Sequence, residues 1–223
     1  MESLLSAPEP VWLVTGFEPF DGESVNPSWE VAQALHGAPM AGGRVLARQL
    51  PCRFGAARDA MVDLLAEWRP LCVLALGQAG GRTDFSLERI AINLDDARIA
   101  DNAGAQPIDQ PVVPGGPAAY FATLPIKAMV SGLRAAGLPA SVSHSAGTFV
   151  CNHVFYALMH GLREQPQVRA GFMHLPLLPA QASRHPGQAC MPLPLMIEGV
   201  RQALRIAASH QGADLDWSAG QIA

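Results

Sequence analysis

The sequence has little charge and no strongly basic region. Only 15% of its 223 residues are Asp, Glu, Lys or Arg, and the formal net charge is −4. Because Lys and Arg form no cluster, nucleic acid and anionic membranes are not expected partners. No apolar run approaches the length that crosses a bilayer. The first ten residues lack the basic start and long apolar stretch of a signal peptide, which predicts a cytoplasmic protein.

Cysteine is also scarce, and its spacing excludes two common uses. The four cysteines include no C-x-x-C pair. This favours free thiols in a reducing compartment over a disulfide framework or a zinc site. The four positions are Cys52, Cys72, Cys151 and Cys190.

Apolar residues, by contrast, make up 49% of the chain, which indicates a well-filled core. The length fits one domain, so we expect residues 1–223 to form a single catalytic α/β unit with frayed ends at 1–9 and 211–223. Short apolar runs alternate with segments of helical periodicity. This pattern predicts an open, mainly parallel twisted sheet that is covered by helices on both faces. In such sheets, sites form at the carboxyl ends of strands.

Predicted strands span 11–16, 44–50, 71–76, 87–93, 140–144 and 170–175. Predicted helices span 27–35, 56–67, 118–136, 151–163 and 195–209, and Pro125 is expected to mark a start or a kink within 118–136. Between them, residues 94–117 are expected to be irregular and residues 177–194 to form a proline-rich loop.

The segment 145–153 carries the clearest chemical signal. A Ser/Gly/Thr turn leads into Cys151, and apolar residues follow at helical spacing. The thiol should therefore lie on the first turn of a helix, where free N–H groups and the helix dipole lower a thiol's pKa and can hold an oxyanion. A buried structural cysteine remains the alternative.

A nucleophilic cysteine needs a base. His174 is the candidate because it ends a predicted strand and shares the face of Phe172. A buried imidazole with a structural role explains His174 equally well. His153, two residues after Cys151, should point to a different helix face.

A third group should orient the imidazole. Glu88 stands among apolar neighbours, where an idle carboxylate would be costly. A salt bridge from Glu88 to Arg89 or Arg98 is the alternative. The spacing does not choose between Glu88 and its competitors in the following loop, which are Asp95, Asp96 and Asp101.

Two loops suggest a small-ligand pocket. The loop 77–82 has neither G-x-G-x-x-G nor G-K-[ST], so its glycines indicate close backbone approach to a ligand more than a phosphate cradle. Phe17 and Phe20 occupy a Gly/Pro-containing loop, where aromatic side chains often line a pocket, although ordinary core packing also explains them.

Four groups of segments together resemble a known family. They are TGFEPFDG (15–22) with NPSWE (26–30), GQAGGR (77–82) with ERIAIN (88–93), DARIADN (96–102), and AGTFVCN (146–152) with GFMHLP (171–176). On these residues the chain resembles the pyroglutamyl peptidase I, or pyrrolidone-carboxylate peptidase, family. Its members are cysteine peptidases that remove N-terminal pyroglutamate. The resemblance extends from about residue 11 to residue 182.

The resemblance implies specific roles. Cys151 matches the nucleophile, His174 the base and Glu88 the orienting carboxylate. Positions that match the substrate pocket are Phe17, Phe20, Phe149, Gln78, Asn26 and Arg98. The family further implies a single-domain three-layer α/β/α sandwich, a homotetramer, peptides with N-terminal pyroglutamate as partners, and no metal or cofactor.

Two departures from the family pattern bear on the pocket loops. Asp21 stands where glycine is usual, and Ala100 replaces a usual proline. Three other functions stay open at this point. They are a thiol amidase acting on another small N-acyl group, a non-catalytic small-ligand-binding protein, and, least favoured, a zinc site of Cys151, His153 and His174.

Overall fold

The computed structural model describes residues 9–220. Its strands are β1 Val11–Phe17, β2 Pro39–Met40, β3 Gly43–Leu50, β4 Cys72–Gln78, β5 Phe85–Glu88, β6 Ile90–Ile92, β7 Ala119–Phe121, β8 Ala140–Ser143 and β9 Arg169–Leu175. Its helices are α1 Pro27–Leu35, α2 Ala56–Trp68, α3 Ile126–Ala135, α4 Val150–Gly161, α5 Pro179–Ala182 and α6 Leu193–Ser209. Within residues 9–220, no helix is long and apolar enough to cross a membrane.

The main sheet has seven strands in the order β2-β3-β1-β4-β9-β5-β8. Strands β3, β1, β4 and β9 are mutually parallel, whereas β5 runs antiparallel to β9 and β8 runs with β5. The prediction of an open, mainly parallel sheet is therefore confirmed. The reversal between β9 and β5 was not predicted, and it decides the geometry of the site.

Helices cover both faces of this sheet. Side chains of successive strand residues point to opposite faces, so each strand contributes to both layers of the core. In β1, Leu13 packs with α2 and α4, whereas Val14 packs with α1, α3 and α6. In β4, Val73 and Leu74 divide between the two layers in the same way. The three-layer α/β/α sandwich is thus confirmed.

Three segments differ from the sequence predictions. The helix predicted from residue 118 begins only at Ile126, after Pro125, and residues 119–121 instead pair with β6. The strand predicted at 87–93 is interrupted at Arg89, where the chain leaves the main sheet for the two-stranded sheet β6-β7. The loop 177–194 contains α5 and the start of α6.

Two residues in the segment 211–220 contact the rest of the fold. The carboxylate of Asp214 accepts hydrogen bonds from the N–H groups of Lys127 and Ala128 at 2.8 and 2.9 Å. It thereby caps α3, while Trp217 packs against the core. Asp214 and Trp217 therefore tie this segment to the folded domain. Of the residues predicted to be frayed, 1–9 and 211–223, residues 1–8 and 221–223 lie outside the described part of the chain, and the domain boundaries and frayed ends stay a prediction.

Candidate active site

The antiparallel pairing of β5 with β9 brings Glu88 to His174. Glu88 lies opposite Phe172, so His174 is its diagonal neighbour on the same face of the sheet. Oε1 of Glu88 is 2.8 Å from Nδ1 of His174. Both residues are buried, with exposures of 0% and 3%. This bond fixes the imidazole and leaves Nε2 for proton exchange with a nucleophile.

Cys151 is the second residue of α4, as the sequence predicted for a first-turn position. Its sulfur lies over Gly77 of β4, because a Cβ atom built on Gly77 would be 2.9 Å from Sγ. Gly77 pairs in register with His174 on the adjacent strand. The thiol is therefore next to the strand pair that carries the imidazole.

The ionisation of this thiol differs from the sequence prediction. Burial raises the pKa of Cys151 above its ordinary value, and the nearby Cys52 and the Glu88 carboxylate act in the same direction. Burial therefore acts against the lowering of the pKa that was expected from the helix N-terminus. A reactive thiolate at this position needs a neighbouring proton acceptor, and His174 is placed to be one.

The close approach at Gly77 makes a testable prediction. In Gly77→Ala, the new methyl would lie 2.7 Å from the Phe172 ring and 2.9 Å from Sγ of Cys151, so the sulfur must move. We expect kcat/KM to fall about 100-fold, as for a displacement of about 1 Å between reacting groups. Steady-state kinetics measure this loss.

Gly132→Ala is the matched control for overpacking. Its methyl would crowd Ile206, at 2.4 Å, on the opposite side of the sheet. That substitution should cost stability, about 1–3 kcal/mol, without a comparable loss of activity. Equal losses of activity in the two variants would contradict the proposed closeness of Gly77 and Cys151.

Arg82 contacts Glu88, a role that the sequence did not assign. Its Nη2 lies 3.5 Å from Oε1 of Glu88. Of the arginines expected as salt-bridge partners, Arg89 instead donates to the Ala219 carbonyl, and Arg98 lies at the cavity described next. The only available signal was the position of Arg82 at the end of the glycine-rich segment 77–82.

A cavity of about 320 Å³ opens beside the end of β4. Three of the predicted pocket residues line it, namely Phe20, Gln78 and Arg98. The Gln78 side-chain carbonyl accepts a hydrogen bond from Gln181 at 2.9 Å, which orients the amide. Lining residues that sequence analysis missed are Glu23, His185 and Gln188.

Aromatic side chains form a wall near this cavity. The rings of Phe20 and Phe149 are 6.0 Å apart, and Phe54, which the sequence did not single out, packs edge-on against Phe149 at 5.4 Å. Phe17 differs from the prediction that placed it in a loop. It ends β1, is 2% exposed and packs against Phe172 in the core.

Asn26 is placed as a helix cap. Its Oδ1 accepts hydrogen bonds from the N–H and Oγ of Ser28 at 3.1 and 2.7 Å, and its Nδ2 donates to the Glu18 carbonyl at 3.1 Å. These bonds fix the loop that carries Phe20. A direct contact of Asn26 with substrate stays a prediction.

The two departures from the family pattern lie at the surface. Asp21 has φ of 53°, in the left-handed region that favours glycine, and it lines the cavity. Aspartate tolerates this conformation better than most residues, so the loop keeps its turn. Ala100 is exposed.

Of the other candidate acids, Asp95 and Asp101 have hydrogen-bond partners elsewhere, and Asp96 is exposed. Asp95 is buried, and its Oδ2 lies 2.8 Å from Nδ1 of His153, whose Nε2 accepts from the Gly55 N–H at 3.1 Å. Both nitrogens of His153 are therefore occupied, which argues against the zinc hypothesis. Asp101 is also buried, and its Oδ1 accepts hydrogen bonds from the N–H groups of Ala103 and Ala105 in its own loop.

Comparisons with known proteins agree on one family. A sequence profile described as pyroglutamyl peptidase matches residues 11–210. The pyrrolidone-carboxylate peptidase of Cupriavidus taiwanensis is 60% identical over 96% of this chain and 99% of its own. That of Klebsiella pneumoniae is 59% identical over 87% and 91%.

Solved structures agree as well. The crystal structure of pyroglutamyl peptidase I from Bacillus amyloliquefaciens superposes with a TM-score of 0.90 at 40% identity, covering 94% of this chain and 100% of that one. A mutant pyrrolidone carboxyl peptidase from Pyrococcus furiosus gives a TM-score of 0.85 at 40% identity, with coverages of 88% and 97%.

Proposed function

The chain belongs to the pyroglutamyl peptidase family and is a cysteine peptidase that removes N-terminal pyroglutamate from peptides; we propose that Cys151, His174 and Glu88 carry out this hydrolysis. The observation that carries the proposal is the buried 2.8 Å contact between His174 and Glu88 beside the first turn of α4, which holds Cys151. The arrangement of nucleophile, base and orienting carboxylate is that of an acyl-transfer site.

In the first half of the reaction, Nε2 of His174 takes the proton of the Cys151 thiol. The thiolate attacks the carbonyl carbon that follows the pyroglutamyl ring, and the backbone N–H of Cys151 on the first turn of α4 stabilises the oxyanion. The imidazolium then protonates the departing amine as the C–N bond breaks. A thioester on Cys151 remains.

In the second half, His174 removes a proton from water, which attacks the thioester carbon. The C–S bond breaks, pyroglutamate leaves, and the imidazolium returns its proton to the sulfur. Glu88 holds the ring in one orientation throughout and stabilises the imidazolium in both halves.

The pocket chemistry suits the pyroglutamyl ring. This lactam is flat and uncharged, so it can lie against Phe20 and Phe149 while amide groups such as that of Gln78 meet its N–H and C=O. We place Arg98 in the same pocket. Asn26 contributes by fixing the loop that carries Phe20. Phe17 lies in the core layer behind the pocket, against Phe172.

The test is a comparison of three chromogenic amides with the same leaving group: pyroglutamyl, N-acetylalanyl and prolyl. We expect kcat/KM for the pyroglutamyl amide to exceed the others by at least about 100-fold, because a site built to bond the lactam leaves its polar groups unpaired with the analogues. Faster release from the N-acetyl amide would support the thiol amidase instead. Failure to cleave any of the three would support a non-catalytic binding protein.

We also propose a cytoplasmic homotetramer without nucleic-acid or membrane partners. The free state of all four cysteines supports a reducing compartment, and the net charge of −4 gives no basis for nucleic-acid binding. Large exposed apolar side chains, such as Phe121 at 67% exposure, suit contacts between copies. In the loop 177–194, by contrast, Leu177, Leu178 and Met191 are buried. Light scattering on the purified chain measures the assembly state.

A further inference from the structure

The side chain of Arg82 joins two parts of the site that are far apart in sequence. On one side, Nη2 lies 3.5 Å from Oε1 of Glu88. On the other, the same nitrogen donates to Oγ of Ser143 at 3.1 Å and to the carbonyl of Ser145 at 3.2 Å. Nη1 lies 3.4 Å from Oγ of Ser86, the residue opposite His174 in the sheet.

The contact between Arg82 and Glu88 bears on the energetic cost of burying a carboxylate. Glu88 is 0% exposed, and among residues 9–220 its Oε2 has no hydrogen-bond partner. A buried carboxylate is costly unless a cation or several donors face it. His174 is charged only during part of the reaction, whereas an arginine is always charged. Arg82 therefore supplies a permanent positive charge beside the Glu88 carboxylate.

The Ser145 side leads to the nucleophile. Ser145 opens the turn that delivers Cys151, and its Oγ accepts a hydrogen bond from the Gly147 N–H at 3.1 Å. Oγ of Ser143 also donates to the Ser145 carbonyl at 3.1 Å. Nη2 carries two hydrogens, which serve its two shorter contacts, to Ser143 and Ser145, and its 3.5 Å approach to Glu88 is an ion pair. Moving this group would shift the turn and the carboxylate together.

We propose that Arg82 is a positioning residue for catalysis, which fixes Glu88 against His174 and locks the turn before Cys151 to the same guanidinium. The proposal rests on the roles given above to Glu88 and Cys151. Arg82 acts through these residues and is not expected to touch the substrate. Its loss should therefore lower kcat and leave KM nearly unchanged.

The first experiment measures kcat and KM on a pyroglutamyl amide for Arg82→Ala and Arg82→Lys. For the alanine variant we expect kcat to fall about 10- to 100-fold, the range for losing a hydrogen bond to a charged group, with KM within about 2-fold. Lysine should restore only part of the rate, because a point charge cannot meet the same acceptors. Arg205→Ala, at an exposed arginine on α6, is the control and should be unchanged.

Chemical rescue separates positioning from a merely structural role. Guanidinium ion at tens of millimolar should raise kcat of Arg82→Ala but not of wild type or Arg205→Ala. If the alanine variant does not fold, the same kcat and KM measurements are made on Arg82→Lys and Arg82→Gln. An increase in KM at unchanged kcat, or a loss of kcat explained wholly by unfolded protein, would overturn the proposal.

A double-mutant cycle distinguishes this proposal from the function on which it rests. If Arg82 acts through Glu88, Arg82→Ala should cost far less kcat in a Glu88→Gln background than in wild type. Additive losses would overturn the link between Arg82 and Glu88 while leaving the proposed catalytic residues intact. A wild-type rate in Glu88→Gln alone would instead refute the role of Glu88, and with it the proposal for Arg82.

Discussion

Cys151→Ala is expected to lower kcat for pyroglutamyl amides by at least about 10⁴-fold, because it removes the atom that forms the covalent intermediate. The helix, the cavity and the contact between His174 and Glu88 do not depend on the sulfur. The variant should therefore still fold and bind substrate. Steady-state rates together with a thermal unfolding midpoint separate the two effects.

The other thiols supply matched controls. Cys72→Ala removes a buried thiol in β4 whose pKa burial raises to about 12, so it is neutral at physiological pH and should affect stability rather than turnover. Cys190→Ala removes an exposed thiol. Alkylation should inactivate wild type and Cys190→Ala alike. Substantial turnover by Cys151→Ala would mean that another group is the nucleophile.

Glu88→Gln is expected to lower kcat by about 10²- to 10⁴-fold with KM little changed. The lower figure is typical of weakened acid–base catalysis, and the higher figure of losing the carboxylate that orients the base. The amide nearly preserves volume but carries no charge to stabilise the His174 imidazolium. It also leaves the Arg82 guanidinium, at 3.5 Å from Oε1, without its carboxylate. Single-turnover kinetics with a pyroglutamyl amide would show whether acylation is the slowed step.

Asp214→Asn is the control for a structurally engaged carboxylate. It weakens the cap of α3 and should lower the unfolding temperature, because a cap contributes about 1 kcal/mol, but it should leave kcat unchanged. If Glu88→Gln loses only stability, as this control does, Glu88 is a structural residue and its assignment as the orienting carboxylate fails.

Much of the fold followed from local pattern. The apolar run that became β4 and the helical spacing after Cys151 were predicted close to their observed bounds, since burial periodicity is encoded in neighbouring residues. The resemblance of the motifs also led to the family, the activity and the three-layer sandwich. Local pattern failed where the partner strand decided the outcome, as at 119–121, which pairs with β6.

The sequence by itself determined that a thiol would begin a helix and that a histidine and a glutamate would stand on strands. Only the tertiary structure decided that β5 runs antiparallel beside β9, which brings Glu88 within 2.8 Å of His174. It also decided that burial would raise the pKa of Cys151 and that Arg82 would face Glu88. Strand order, the desolvation of one particular thiol and charge pairing depend on residues distant in the chain, and periodicity does not specify them.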